Sequence, residues 1–293
     1  MKNKNLINIL VLLIVIGSLV CSLAGLFWKG GNGQYEFKSI NNEIIKITGS
    51  GIYKNDSVSI TAQGKAIDIV TLVLGIPVLL ISLYFANRRS FRGRLILTGT
   101  IGYFLYTYMS YTFLWMYNPL FIVYVFLMSS SLFIFILLMM SFDMENISLY
   151  FDKRLPIKFL GGFQIFIAFA VGMLWLGKIA PSIFSDAVPV GLEHYTTLVI
   201  QGMDLGFVVP TAVLSGVLII KKKPLGYLLS SIVIIKGITL LASITAGMVY
   251  LAMDNVSVNM VEVGVFSFFD ILAVFALVLL MKNIKVPSEN RLG

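Results

Sequence analysis

Residues 67–95 read "IDIVTLVLGIPVLLISLYFANRRSFRGRL". The stretch begins inside an apolar block, residues 66–86, and ends in a basic segment where the next apolar block starts. A helix needs about 20 residues at ~1.5 Å each to cross a hydrocarbon core of ~30 Å. The stretch therefore predicts a membrane-spanning helix, a short basic turn and the beginning of a second spanning helix.

Seven other apolar blocks of similar length lie along the 293 residues. Hydrophobic residues make up 58% of the chain and charged residues 12%, with a mean hydropathy of +0.92, whereas soluble domains carry about 25% charged residues. We predict an all-α polytopic membrane protein with about eight transmembrane helices in a single integral membrane domain, residues 1–293. The blocks lie near residues 6–28, 66–86, 95–115, 119–141, 159–179, 197–220, 225–250 and 261–281.

The 22 Lys and Arg residues predict the orientation of these helices. If the N-terminus is cytoplasmic, 15 of them lie on the cytoplasmic side, 6 lie outside, and Lys236 lies within a helix. Short cytoplasmic loops are enriched in basic residues, so both termini are predicted to be cytoplasmic, in the cell membrane. The net charge of +8 is then a topology signal. The lipid bilayer is the expected partner, and nucleic acid is not.

The longest predicted extracytoplasmic segment, residues 29–65, has the pattern of a β-hairpin. The runs "YEFKSI" and "EIIKIT" alternate apolar and polar residues around Asn-Asn, and Gly-Ser-Gly follows them. The segment is too small for its own core, so we expect a cap on the helix ends between helices one and two. A second hairpin-like piece is predicted at residues 147–159, on the cytoplasmic side.

A shift of 133 residues aligns residues 67–95 with 200–228 without a gap. Apolar segments also share letters by chance, so duplication and coincidence both stay open. A duplication would divide the chain into halves 1–141 and 159–282, two parallel four-helix repeats related by an axis along the membrane normal. The shift superposes Pro77 on Pro210, Ser82 on Ser215, Gly93 on Gly226, and Ile101 on Ile234.

Three charged residues lie deep within predicted helices: Asp204 in helix six, Lys236 in helix seven and Asp270 in helix eight. Each costs ~2.5–3.5 kcal/mol at a helix centre on insertion scales, so each requires an explanation. We predict an ion, proton or substrate site containing these three residues and Gln201, with Lys236 paired to an acid on a neighbouring helix. A purely structural staple between helices stays open as the alternative.

Several further residues are assigned to the surroundings of this site. The prolines in helices two and six remove an amide donor and are predicted to kink their helices. The tyrosines and hydroxyls of helix three are interpreted as a packing wall. The predicted outer mouth comprises His194, Glu193, Glu262 and Asp68; the predicted kinks are at Pro77 and Pro210; the helix-three residues are Tyr103, Tyr106, Thr107, Ser110 and Tyr111.

The chain has one cysteine, Cys21, and one histidine, His194. An intramolecular disulfide and a cysteine-based metal cluster are therefore excluded, and neither a metal nor a cofactor is expected. No phosphate-binding loop, HExxH or CxxC motif is present.

These features favour a proton- or ion-coupled transporter of a small solute. A membrane sensor or assembly subunit, whose hairpin binds a partner, is the main alternative. A membrane enzyme with an outward-facing site, using His194 with Glu193 or Glu262 as an acid–base pair, is the weaker alternative because no nucleophile or metal set accompanies it. The oligomeric state is not specified.

Three segments carry a resemblance to known proteins. They are "GSGIYKNDSVSITAQGKAIDIVTLVLGIP" at 49–77, "GYFLYTYMSYTF" at 102–113, and "EHYTTLVIQGMDLGFVVP" at 193–210 with "KKKPLGYLL" at 221–229. The chain resembles, from about residue 35 to 282, a group of uncharacterised bacterial and archaeal multi-pass membrane proteins. The resemblance implies a prokaryotic source and a single polytopic unit. It supplies no catalytic residues, because none of these motifs belongs to a family with an established activity.

Overall fold

Eight long helices dominate the protein in a computed structural model. The structure describes residues 3–185, 187–253 and 260–285, except for the side chains of 251–253 and 260–262. Within these ranges the helices are α1 Lys4–Phe27, α2 Val58–Asn87, α3 Phe91–Phe113, α4 Phe121–Met139, α5 Ile157–Phe184, α6 Val199–Ile220, α7 Pro224–Met253 and α8 Met260–Lys282. The strands are β1 Tyr35–Lys38 and β2 Ile44–Ile47.

Seven of these helices, all but α3, are long and apolar enough to cross a membrane, as judged on the described residues. The remaining helix, α3, has 23 residues, of which 14 are buried. Its Thr98 and Thr100 hydroxyls each donate to a carbonyl four residues back at 2.8 Å, so they are satisfied away from water. An interior helix contacts protein on most sides and does not need an apolar surface all round. The prediction of an all-α polytopic membrane protein with about eight helices is confirmed.

The predicted β-hairpin is present in residues 29–65. Strands β1 and β2 pair antiparallel, with Tyr35 opposite Ile47, and alternate residues of β2, Ile45 and Ile47, are buried. Asn42 takes the left-handed conformation at the turn, with φ of 66°, which asparagine tolerates better than most residues. The hairpin packs on the N-terminal end of α2, and we call this end of the molecule the hairpin end.

The prediction of a second hairpin-like piece at residues 147–159 is wrong. Residues Ile147–Tyr150 form a 3₁₀ turn, and Phe151 forms an isolated antiparallel bridge with Ile284 beyond α8. Pro156 lacks an amide donor and is followed directly by α5, so the local sequence offers no returning strand. The bridge ties the end of α8 to the loop before α5, at the end of the molecule opposite the hairpin.

Helices α2 and α6 each contain one π turn, in which the backbone is widened. The turn spans Thr71–Gly75 in α2 and Asp204–Val208 in α6, and a proline follows two residues later in both helices. Proline cannot donate to the carbonyl of the preceding turn, and its ring crowds that carbonyl. A π turn relieves this conflict without breaking the helix. The two π turns begin 133 residues apart, at the shift that aligns the sequence segments.

The connections that follow these two helices also match. Arg89 and Lys222 adopt the left-handed conformation, with φ of 61° and 55°. The next residue donates its amide back into the helix in both cases, Ser90 to Phe85 and Lys223 to Leu218. This is the pattern of a Schellman helix end. Each connection therefore reverses the chain within about three residues.

Candidate functional site

The buried carboxylate of Asp204 lies at the first position of the π turn in α6 and is 6% exposed. The Tyr106 hydroxyl, from α3, donates to its Oδ1 at 2.7 Å. The Trp175 indole nitrogen, from α5, donates to its Oδ2 at 2.9 Å. Three helices thus meet at one carboxylate, and both donors carry no charge. The group is satisfied by hydrogen bonds, although it forms no ion pair with any cation that the structure describes.

Lys236 on α7 reaches the other side of Tyr106. Its Nζ lies 3.9 Å from the centroid of the Tyr106 ring, a cation–π contact. The same Nζ is buried, and no hydrogen-bond partner for it is found among the described residues. The predicted pairing of Lys236 with an acid is not found among the described residues, where the only ion pair joins Lys285 and Asp152 at 3.4 Å. An aromatic ring occupies the place where a carboxylate was expected.

Asp270, the third embedded charge, does not join the other two. Its Oδ2 accepts a hydrogen bond from the Thr245 hydroxyl of α7 at 2.6 Å, and the residue is partly exposed. Thr245 follows Lys236 by nine residues, which at ~100° per residue places the two on opposite faces of α7. The structure thus brings Asp204 and Lys236 together around Tyr106 and places Asp270 elsewhere. Gln201, half-buried, lies less than one turn before Asp204 on α6.

Asp68 on α2 is 2% exposed, so it does not lie at an open mouth as the sequence suggested. The Tyr53 and Tyr111 hydroxyls donate to its two carboxylate oxygens at 2.6 and 3.0 Å. Gly25 of α1 closes the site, because a Cβ atom built there would lie 1.8 Å from Asp68 Oδ2. Asp68 thus resembles Asp204: a buried carboxylate held by neutral donors beside a π turn.

The hydroxyls of α3 link both π turns. Tyr103 shares a 2.7 Å hydrogen bond with Thr71, the first residue of the π turn in α2. Tyr106 and Tyr111 bond the two buried carboxylates described above. The interpretation of these tyrosines as a packing wall therefore missed their main contacts. The spacing of the hydroxyls along one helix was visible in the sequence, but which residues they would face was not.

Glu193 and His194, also predicted at the outer mouth, lie in the loop before α6 and contact the hairpin end. The Ser59 hydroxyl donates to Glu193 Oε1 at 2.6 Å. His194 Nε2 lies 3.1 Å from the Asn55 carbonyl, and its ring packs edge-on against Phe37 of β1, 6.0 Å between centroids. The loop is thereby held on the hairpin cap. Asp204 follows His194 by ten residues, and it is not among the described contacts of His194.

Asp56, which sequence reasoning missed, is the centre of this loop attachment. Its Oδ1 accepts from the Tyr195 hydroxyl at 3.1 Å and from the Met116 amide at 2.9 Å, whereas Oδ2 is buried without a partner. Burial raises its pKa to about 7; the two hydrogen bonds lower it, and the charge of Glu193 raises it further. Asp56 precedes a helix in a polar loop, where an acid is unremarkable in sequence. Only the fold reveals that it is buried.

The remaining predicted residues are placed as follows. Pro77 and Pro210 follow the π turns, so each marks a widened helix turn. Glu262 falls among residues whose side chains lie outside the described part of the structure. Across the described residues, no group of three His, Cys, Asp or Glu side chains is arranged to hold a metal ion.

Comparison with known proteins adds no functional assignment. No family model, no curated protein and no solved structure matches this chain.

Proposed function

We propose that this integral membrane protein is a proton- or ion-coupled carrier of a small solute, with Asp204 as the group that takes up the proton or cation. One observation carries the proposal. Asp204 and Lys236 are buried groups of opposite formal charge that contact the hydroxyl and the ring of Tyr106, at 2.7 and 3.9 Å, without forming an ion pair. A lone tyrosine separates them.

A structural staple would be expected to have a different geometry. A buried ion pair offsets its desolvation only when the two charges meet with good hydrogen-bond geometry. Here the ammonium has no hydrogen bond among the described residues, and the carboxylate has only neutral donors. We assign the uptake of the proton or cation to Asp204, which would remove its attraction to Lys236. The proposal assigns Lys236 the role of responding to that change.

The π turn supports a binding role for the same site. Pro210 contributes no amide hydrogen to it, so one backbone carbonyl near Asp204 has no helical donor. Transporters commonly place such interrupted backbone beside embedded acids, where free carbonyls contact a cation or solute. Gln201 belongs to the proposed site through its position on α6. Asp270 is proposed as a separate polar position, since it contacts Thr245 instead.

We further propose that the two halves are duplicated four-helix repeats. The matching π turns, prolines and left-handed helix ends, each 133 residues apart, support a common origin. Under this alignment Asp68 corresponds to Gln201 and Thr71 to Asp204, so each half keeps one acid, at a different position of the same motif. A carrier that rocks between two related halves would then hold one buried acid on the helix with the π turn in each half.

Proton flux into proteoliposomes tests the transport proposal. Purified protein is reconstituted with a pH-sensitive dye inside, and a panel of small organic acids, amines and polyols is added outside. We expect one or more of these compounds to drive acidification, and Asp204→Asn and Lys236→Met to slow it at least about tenfold, equivalent to ~1.4 kcal/mol on a barrier. Tyr106→Phe should act in the same direction. Asp152→Asn, at the opposite end, is the matched control. Wild-type flux in both Asp204→Asn and Lys236→Met would overturn the proposal.

A membrane sensor is the second candidate, favoured by one specific observation. The loop that carries Glu193 and Tyr195 is attached to the hairpin end through Asp56, whose pKa lies near neutrality. A change of pH on that side of the membrane would alter this attachment. Loop release at a physiological pH, without solute-driven proton flux, would support sensing over transport.

A further inference from the structure

A cleft of about 280 Å³ opens at the hairpin end, between the end of α1, the loop that follows it, and α2. A second cleft of about 200 Å³ adjoins it and shares Ser50 and Lys65 as lining residues. We call the two together the hairpin-end cleft. Lys65 stands between them, and Lys29 and Trp28 line the larger part. The smaller part extends to Tyr250 of α7.

The charged residues that line this cleft are all basic. Lys29 and Lys65 both line it, and none of the lining residues is an acid. Lys65 Nζ donates to the Tyr250 hydroxyl at 3.0 Å, and neither lysine belongs to an ion pair within the described residues. Asp68 follows Lys65 by about one helical turn, but its carboxylate is bonded to two tyrosines and does not line the cleft. Both charged side chains that line the cleft are thus basic, and neither forms an ion pair among the residues that the structure describes.

Backbone forms much of the remaining wall. Gly30, Gly31 and Gly51 line the cleft with φ of 126°, 104° and 74°. A Cβ atom at Gly31 would lie 2.1 Å from the Gly49 carbonyl oxygen, so no larger residue fits there. The glycines let the two loops approach closely and keep side chains out of the space between them.

We propose that the hairpin-end cleft binds an oxyanion, a phosphate or carboxylate group, through Lys29 and Lys65. Lysine ammonium groups bind phosphate and carboxylate groups through charge-assisted hydrogen bonds. The larger part of the cleft, about 280 Å³, has room for one phosphate-sized group together with water molecules. The same chemistry occurs in a free solute and in the headgroup of an anionic lipid.

Equilibrium binding tests this site independently of transport, so its failure and the failure of the carrier proposal are distinguishable. Inorganic phosphate is titrated into the detergent-purified full chain while the fluorescence of Trp28 is followed, with Trp28→Phe identifying its signal. We expect saturable binding that weakens about tenfold in Lys29→Gln or Lys65→Gln. Lys65→Arg, which keeps the positive charge, should bind phosphate about as well as the wild-type protein does. Lys38→Gln, an exposed lysine of β1 outside the cleft, is the control.

A second arm distinguishes the two sources of the oxyanion. The protein is placed in nanodiscs of phosphatidylcholine alone or mixed with phosphatidylglycerol, without phosphate. A Trp28 response that needs phosphatidylglycerol and both lysines assigns the cleft to a lipid headgroup; a response to phosphate alone assigns it to a free solute. The proposal is overturned if neither probe gives a response, or if Lys38→Gln weakens binding as much as Lys29→Gln. Because Lys29 is exposed, its variant is expected to fold normally.

Discussion

Tyr106 connects two buried groups that the sequence alone could not relate. The sequence predicts that Asp204 and Lys236 are embedded in the membrane, since each interrupts an apolar helix. Their partners were not, because a tyrosine can serve as a hydrogen-bond donor through its hydroxyl and as a cation–π partner through its ring. Both uses occur here in one side chain. At the residue scale, sequence therefore identifies which groups need explanation and leaves their partners to the fold.

Asp56 leads to a pH prediction at the same scale. Its pKa is raised from 3.8 to about 7 in the folded protein. Asp56 therefore binds the proton more tightly when the loop is attached than when the loop is released and the carboxyl is exposed to water. The attachment of the loop carrying Glu193, His194 and Tyr195 should therefore be strongest below pH ~4. It should weaken by at most about tenfold per pH unit up to pH ~7, and then stay constant.

Hydrogen exchange at residues 192–195, corrected for intrinsic rates, measures this attachment. Asp56→Asn should abolish the weakening between pH 4 and 7, because the amide does not ionise. Measurements in a His194→Gln background separate any contribution from the histidine, and Asp143→Asn provides an exposed control carboxylate. An unchanged pH profile in Asp56→Asn would show that another group controls the loop.

Helices α2 and α6 show how far an element can be predicted. Their proline positions indicated distorted helices, and both are distorted at the expected place. The form of the distortion was not predictable, because a kink and a π turn both accommodate a proline and neighbouring helices decide between them. Likewise, the hairpin of residues 29–65 was predicted from local alternation and turn residues. Phe151 pairs with a residue 133 positions away, which no local pattern reveals.

Close packing at the two matched helix connections leads to a prediction about stability. A Cβ atom at Gly93 of α3 would lie 2.8 Å from the Ala86 nitrogen, and one at Gly226 of α7 would lie 2.4 Å from the Ile219 nitrogen. Alanine gains ~1 kcal/mol over glycine in a helix, but contacts with backbone cannot be relieved by side-chain rotation. We expect Gly93→Ala and Gly226→Ala to lower stability by ~1–3 kcal/mol, with Gly226→Ala the larger effect.

Thermal unfolding in detergent measures these changes. Gly162→Ala in α5 is the matched control, because a Cβ atom there meets nothing within 4 Å. It should be neutral or stabilising. Equal losses at all three glycines would mean that helix packing at the connections is not the cause.

At the scale of the whole molecule, hydropathy alone predicted the architecture, since bilayer thickness dictates helix length. Among the described helices, only α3 departs from the simple pattern, because its polar residues face other helices. The arrangement of the helices was not predictable in the same way. Which helix lies at the centre depends on which polar residues find partners, and those contacts join residues far apart in the chain, such as Tyr106 and Asp204.

The predicted orientation has a direct test. Cys21 is buried and is the only cysteine, so Cys21→Ser provides a background without thiols. Lys54→Cys, at the hairpin end, should react with a membrane-impermeant maleimide in intact cells. Lys153→Cys, at the opposite end, should react only after the membrane is permeabilised. Both positions are exposed, so accessibility within the protein does not distinguish them. The reverse labelling pattern would place the hairpin in the cytoplasm.

The left-handed residues Arg89 and Lys222 have a consequence for biogenesis. Glycine is the usual residue at this position of a Schellman helix end, and a larger residue costs roughly 1–2 kcal/mol there. Both connections instead carry an exposed basic side chain. If the predicted orientation is correct, we expect these side chains to help to retain each helical hairpin on the cytoplasmic side during insertion. Each connection would then combine a conformational cost in the folded protein with a basic side chain that favours the correct orientation during insertion.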